Sequence, residues 1–280
     1  MSRYKRWFLS LFITYSVLLS ILPVVMLLSG PVSHLGWLGV WLTGLAPTSF
    51  FAGLFLRPRA RTSASLSTYW LIIIPGQLLA LFSPLTAVLG GIATLGWLLY
   101  LHWYSRLERS ANTQLQVGQP LPEIHLHDVA GKPVSSRDWL GQTSLLVFYR
   151  GNWCPLCMAQ IGEVAAQYRE LSARGVRVRL ISPQPEAQTQ TLAQRFGVDF
   201  EFLVDTQLAA ARRLNIHAEG GLPAGLEVQG YDTDTVMPTV VIVDAAGIVR
   251  YCDLTENYRV RPEPAEFLAE LDRLQLQTQN

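Results

Sequence analysis

Two stretches of the chain, residues 7–56 and 62–105, contain no Lys, Arg, Asp or Glu. Soluble folds seldom leave charge out of runs this long, whereas a helix crossing a bilayer needs about 20 mainly apolar residues. Each stretch has room for two such helices. The first divides at Ser29-Gly30-Pro31 and the second at Ser83-Pro84, which predicts spans at 7–28, 35–56, 64–82 and 85–103. Pro23, Pro47 and Pro75 fall inside them, where neighbouring helices satisfy the backbone groups that a proline frees. A cleaved signal peptide accounts for the first segment alone, and no convincing small-residue cleavage site follows it.

Charge returns beyond residue 110. The overall balance, 50% hydrophobic and 15% charged, is too apolar for an ordinary soluble protein and too charged for a bare helical bundle. The predicted organisation is a transmembrane region over residues 1–110 and a soluble domain over 115–280. Lys and Arg fall before the first span (Arg3, Lys5, Arg6), between the second and third (Arg57, Arg59, Arg61) and after the fourth (Arg106, Arg109). With four spans, all three groups share one side, which the positive-inside rule makes cytoplasmic. The expectation is a multi-pass protein of the cell (inner) membrane with its soluble domain in the cytoplasm. A net charge of +1 leaves no footprint for nucleic acid. The membrane half holds no cysteine, so anchoring is its default role.

The soluble half alternates short apolar runs with helical periodicity. Strands are predicted near 121–127, 144–149, 176–181, 200–204, 240–243 and 248–252. Helices are predicted over 154–173, 186–196, 206–214 and 263–274. This order indicates an α/β domain with a mixed central sheet flanked by helices. The stretch 218–235 is longer than such a fold needs. It either lines a substrate groove or is a plain insertion.

Of the three cysteines, two form one motif, Cys154-Pro155-Leu156-Cys157. No disulfide framework follows from this count. His125, His127 and His217, without a second Cys-x-x-Cys, predict no metal site, and no cofactor is expected. The motif sits where a strand ends and a helix begins, where free backbone N–H groups and the helix dipole favour a thiolate. Cys154, expected to be exposed at the turn, is then the low-pKa nucleophile. Cys157, one helical turn on, resolves a mixed disulfide or sulfenic acid. Pro155 suits the first helical turn, where its missing N–H costs nothing. Trp153 precedes the motif, and Met237-Pro238-Thr239 stands just before a strand, where an X-Pro bond is a candidate cis peptide. Arg150 is either a cation for the thiolate or a solvated strand-end residue. Cys252, in the penultimate strand, is either a distant third redox thiol or a small buried apolar residue.

The run Phe148-Tyr149-Arg150-Gly151-Asn152-Trp153-Cys154-Pro155-Leu156-Cys157, with Asn257-Tyr258-Arg259 and Arg261-Pro262-Glu263-Pro264 near the C-terminus, resembles peroxiredoxin-like members of the alkyl hydroperoxide reductase/thiol-specific antioxidant family. The resemblance covers residues 115–274. It implies a thioredoxin-like fold, a cis Pro238 facing the cysteines, supporting roles for Thr239 and Arg150, and thiol-dependent reduction of peroxides or disulfides. Typical peroxiredoxins carry Pro and Thr seven and three residues before the reactive Cys. Here those positions are Val147 and Gly151, which shifts weight from dedicated peroxidase to general thiol oxidoreductase.

The expected protein is therefore a thioredoxin-like fold preceded by an all-α four-helix transmembrane region. It would act as an integral-membrane thiol oxidoreductase with antioxidant activity. Its partners would be a thiol reductant of the thioredoxin or glutathione kind and a peroxide or protein-disulfide substrate. Two alternatives keep the same site: an oxidoreductase facing the exported side, or a redox-sensing or binding domain that controls the membrane region.

Overall fold

The computed structural model describes residues 3–29, 34–109 and 112–278. Gly30 and Pro31 of the first interhelical break lie outside the described residues. The N-terminal half is a helical bundle of α1 (Arg3–Ser29), α2 (His34–Leu56), α3 (Ser67–Ala80) and α4 (Pro84–Leu99), the last continued by a wider turn over Tyr100–Tyr104. Three stretches, Tyr4–Leu28, His34–Leu56 and Pro84–Tyr104, are long and apolar enough to cross a membrane.

The third helix departs from expectation. At 14 residues it extends about 21 Å, short of a hydrocarbon core about 30 Å thick. The segment predicted to begin it is pulled off helical geometry by the soluble half. The Ser63 and Ala64 carbonyls, free to start a helix in the sequence reading, accept from the Arg259 guanidinium at 2.8 and 2.9 Å. Within the bundle, glycines set the spacing. A Cβ at Gly39 would lie 2.3 Å from the Ala80 nitrogen and 2.5 Å from the Gly76 carbonyl oxygen, so α2 and α3 meet backbone to backbone.

The C-terminal half is built on a seven-stranded sheet. Its strands are β1 (His125–Asp128), β2 (Pro133–Ser135), β3 (Ser144–Phe148), β4 (Arg177–Ser182), β5 (Glu201–Val204), β8 (Thr239–Val243) and β9 (Val249–Asp253). The strand order is β2-β1-β5-β4-β3-β8-β9, with β3, β4 and β5 parallel and the outer pairings antiparallel. Helices α5 (Pro155–Ala166), α6 (Tyr168–Ala173), α7 (Glu186–Arg195), α8 (Ala209–Arg213) and α9 (Pro264–Thr278) complete the domain. This is the thioredoxin-like α/β fold. Parallel strands buried on both faces read as continuous apolar runs, and every residue of β3 and β8 is buried.

The single helix expected over 154–173 divides at Gln167, whose backbone leaves helical values. Strand β2 occupies residues next to the turn material Gly131-Lys132. A second, two-stranded sheet, β6 (His217–Ala218) with β7 (Thr235–Val236), closes the base of the long loop.

The two halves share one core that runs from Phe12, Phe50 and Trp97 to Leu145 and Val241. The segment after β9 fastens them. Arg259 is fully buried; it donates to Ser105 Oγ at 2.8 Å and Thr62 Oγ1 at 2.9 Å, and stacks over Tyr100. Beside it the Tyr100 and Tyr258 hydroxyls meet at 3.0 Å. Arg61 pairs with Glu163, and Lys5 donates to the Arg106 carbonyl at 2.8 Å. Arg109 donates to the Pro238 carbonyl at 2.7 Å, so Lys5, Arg61 and Arg109 lie on the side of the bundle that carries the sheet domain.

Gly39→Ala is expected to destabilise the folded chain by about 1–3 kcal/mol through overpacking. Gly53→Ala, whose Cβ would meet nothing within 4 Å, should be neutral or slightly stabilising. Thermal unfolding of both variants in detergent checks this; equal loss from both would refute the close α2–α3 approach.

Candidate functional site

Strand β3 ends at Phe148 and α5 begins at Pro155, so residues 149–154 form the turn that carries the first cysteine. Gly151 has φ +145°, and a Cβ there would lie 2.7 Å from the Trp153 indole nitrogen. That backbone region favours glycine. The position held by threonine in typical peroxiredoxins is therefore committed here to shaping the turn. The turn is held from below: the Asn152 N–H donates to Gln184 Oε1 at 2.8 Å, and Gln184 Nε2 donates to the Tyr149 hydroxyl at 3.1 Å. Pro155 occupies the first helical turn behind Cys154.

Both thiols are buried, Cys154 at 2% and Cys157 at 0% exposure, and both are free. The expected solvent-exposed Cys154 is corrected here. Phe51 and Leu54 of α2, with Tyr104, line the same cavity as Cys154. Facing the sulfurs is a residue that sequence reasoning did not single out. Arg261, 5% exposed, places Nη1 and Nη2 at 3.6 and 3.5 Å from Cys157 Sγ and Nη2 at 4.0 Å from Cys154 Sγ. It is held by Gln160 Oε1 at 2.8 Å and the Tyr258 carbonyl at 3.0 Å. In sequence it stands in a polar C-terminal run, where nothing but the family resemblance separates it from a solvated arginine.

Arg150 is 4% exposed, which removes the reading of a solvated strand end. It donates to the Gly221 carbonyl and lies over the rings of Trp153 and Tyr258 at 4.7 and 5.5 Å. Burial works against its charge, and the Tyr104 hydroxyl and the two thiols support it, with the net effect of raising its pKa.

The thiols titrate as a pair. Burial pushes Cys157 up, but its hydrogen bond with Cys154 and the Arg261 guanidinium outweigh that and pull it down to about 5. Burial and the partner thiol push Cys154 up. One negative charge is therefore shared between the sulfurs and rests nearer Cys157, where the guanidinium contacts are shorter. The expectation of a lowered Cys154 pKa is corrected on this point: Cys154 makes no side-chain bond to the helix N–H groups, burial and the partner thiol push it up, and the shorter Arg261 contacts favour the anion on Cys157. Burial pushes Cys252 up to about 12, with Arg109 opposing.

Arg150, Trp153, Cys154 and Pro155 line one cavity together. Pro238 and Thr239 line a separate, small one with Gln160 and Arg261. The Pro238 carbonyl accepts from Arg109 at 2.7 Å, and Thr239 Oγ1 accepts from the same guanidinium at 3.1 and 3.2 Å. No peptide bond among the described residues is cis, so the cis Pro238 that the resemblance implied is trans. The trans form is the lower-energy one for X-Pro by about 0.5–1 kcal/mol.

A buried dithiol at a strand–turn–helix junction on this sheet defines a thioredoxin-like redox domain. Residues 117–252 match the AhpC/TSA family. Thiol-disulfide oxidoreductase ResA of Geobacillus kaustophilus (strain HTA426) is 26% identical over 133 residues, 47% of this chain and 71% of that protein. Among solved structures, Enterococcus faecalis AhpC aligns with TM-score 0.49 at 18% identity, covering 59% of this chain and 95% of that one. Peroxidoxin BcpB from Mycobacterium tuberculosis aligns with TM-score 0.47 at 18% identity, over 57% and 98%. These likenesses support an oxidoreductase.

Because the first ionisation of the dithiol lies below the ordinary thiol value of about 8.5, its stabilising contribution is fully present above about 8.5. It is lost as the pH falls through about 5. Alkylation of the reduced protein by iodoacetamide should hold its rate down to about pH 5. Arg261→Met should move that inflection up toward the ordinary thiol range, and Arg261→Lys should restore part of the shift. A wild-type inflection near 8.5 would show that the guanidinium does not hold the anion.

Proposed function

We propose that this protein is a membrane-anchored thiol–disulfide oxidoreductase with antioxidant activity, working through Cys154 and Cys157. Its N-terminal region, residues 1–110, crosses the cell membrane several times, and its redox domain, residues 115–280, faces the cytoplasm. The observation that carries the chemistry is the Arg261 guanidinium within 4.0 Å of both sulfurs. It keeps a thiolate available at neutral pH.

Cys154 lines the cavity that substrate would enter, so Cys154 attacks. The proton it shares passes to Cys157 as it does so. Arg150, over the Trp153 ring, supports the negative charge on the cavity side. Cys157 then attacks Cys154 Sγ, forms the disulfide and releases the reduced substrate. A thiol reductant of the thioredoxin or glutathione kind returns the disulfide to dithiol. Substrates are disulfides or peroxides, with glycine at position 151 favouring general thiol exchange. Support for the cytoplasmic side comes from basic residues flanking the helices that meet the redox domain or the segment leading to it: Lys5 donates to the Arg106 carbonyl, Arg61 pairs with Glu163 and Arg109 donates to the Pro238 carbonyl, and positive-inside sorting puts such residues in the cytoplasm.

Full-length protein in detergent should reduce insulin-type disulfides, with Cys154→Ser abolishing turnover and Cys157→Ser stopping it at a trapped mixed disulfide. Peroxide consumption is measured alongside. Absence of both activities, with thiols unreactive to alkylation, sinks the assignment. A C-terminal reporter fusion should score as cytoplasmic; an exported-side signal would overturn the orientation.

A further inference from the structure

The cavity that reaches Cys154 does not belong to the redox domain alone. It has a volume of about 330 Å³, within the range of small-molecule sites. Besides the redox turn, Tyr104 and Tyr258, its walls come from three places: Leu9, Ile13 and Thr14 of α1, Phe51 and Phe55 of α2, and the loop residues Pro223, Ala224 and Leu226. That loop is strapped to α1, since Ser10 Oγ donates to the Ala224 carbonyl at 2.7 Å and the Ala224 N–H donates to the Arg6 carbonyl at 3.2 Å. The long 218–235 segment is thus a wall of the site rather than a plain insertion.

Burial and chemistry change together along the cavity. At the helix rim Thr14 and Phe55 are exposed on the flank of helices apolar enough to cross a membrane. At the inner end Cys154, Arg150, Tyr104 and Tyr258 are buried, and these supply the polar groups. Arg150 has no carboxylate partner among the described residues, so the inner end suits a ligand that presents oxygen and gains negative charge. Aromatic rings of Phe51, Tyr104, Trp153 and Tyr258 surround that end, a setting for a planar ring. A dithiol delivers two electrons and two protons together. Glycine at 151 lacks the hydroxyl that positions a peroxide.

We infer that the substrate reaching Cys154 through this cavity is a membrane-dissolved quinone, its alkyl tail lying between α1 and α2 and its ring carbonyl toward Arg150. The inference rests on the dithiol reading above and names its substrate class. The Cys154 thiolate adds to a ring carbon, forming an S–C bond. Cys157 attacks Cys154 Sγ; the S–S bond forms, the S–C bond breaks and the electron pair stays on the ring. The two thiol protons finish on the two ring oxygens. Dithiol plus quinone gives disulfide plus hydroquinone.

The test uses the full chain in lipid nanodiscs, pre-reduced and freed of reductant, mixed with decylubiquinone, with the same ring lacking its alkyl tail, with a soluble aromatic disulfide, or with an acyl-chain hydroperoxide. Quinone absorbance and free thiols are followed together. Expected is loss of both thiols for each quinone reduced, and a KM for the tailed quinone at least about tenfold below that of the tail-less ring, since each buried methylene contributes. Cavity-filling Thr14→Trp and Ala224→Trp should each depress tailed-quinone reduction about tenfold more than disulfide reduction. Disulfide reduction with no quinone reduction, equal use of tailed and tail-less rings, or a preference for an acyl-chain hydroperoxide over the quinone overturns this inference and leaves the dithiol reading standing. A dithiol inert toward every acceptor overturns the dithiol reading itself, and this inference with it.

Discussion

Two guanidinium groups buried against two thiols set the terms for the rest of the molecule. Arg150 and Arg261 are 4% and 5% exposed, and removing a charge from water costs several kcal/mol unless something answers it. Among the described residues no carboxylate does. Carbonyls of Gly221 and Tyr258 and the amide of Gln160 satisfy part of the hydrogen-bonding capacity, and the shared thiolate supplies the charge. Oxidation to a disulfide removes that negative charge and leaves the cations facing neutral sulfur. The arrangement therefore stabilises the reduced form relative to an isolated dithiol, which makes the pair the more ready electron acceptor when oxidised.

Burying these cations requires a cover, and the sheet domain does not supply all of it. Tyr104, at the end of the last bundle helix, lies beside Arg150 and Cys154, and Tyr258 links to Tyr100 across the junction. Arg259 does for the connection between α2 and α3 what Arg261 does for the thiols: it gathers the Ser63 and Ala64 carbonyls and two hydroxyls around one guanidinium. The short segment after β9 thus fixes the helical half in place and aims the cation at the sulfurs. The bundle and the redox site are one packed unit, so the helices form part of the chamber around the cysteine in addition to whatever anchoring they provide.

Much of this was legible in the sequence because local physics fixes it. Charge-free runs can become little except apolar helices, and Ser144-Leu145-Leu146-Val147-Phe148 can satisfy its side chains only as a strand buried on both faces. The strand–turn–helix setting of Cys154 followed from glycine and proline at fixed offsets. Local signals ran out where partners are distant. Ala64 opens a charge-free run that reads as a span, yet its carbonyl and that of Ser63 are claimed by Arg259 from nearly 200 positions away. The helix expected over 154–173 breaks at Gln167, a residue with no breaking tendency of its own.

The sequence by itself determined that there is an apolar helical region, an α/β domain with a mixed sheet and a dithiol at the head of a helix, since each depends on residues close together in the chain; the thioredoxin-like fold came from the family resemblance. Only the tertiary structure decided which sulfur holds the charge, that both are covered, and that the way to Cys154 runs along α1 and α2. The reason is that burial and electrostatic pairing depend on what arrives from elsewhere in the chain. Cys154, Arg261 and Phe51 carry no mark of one another until the fold brings them together.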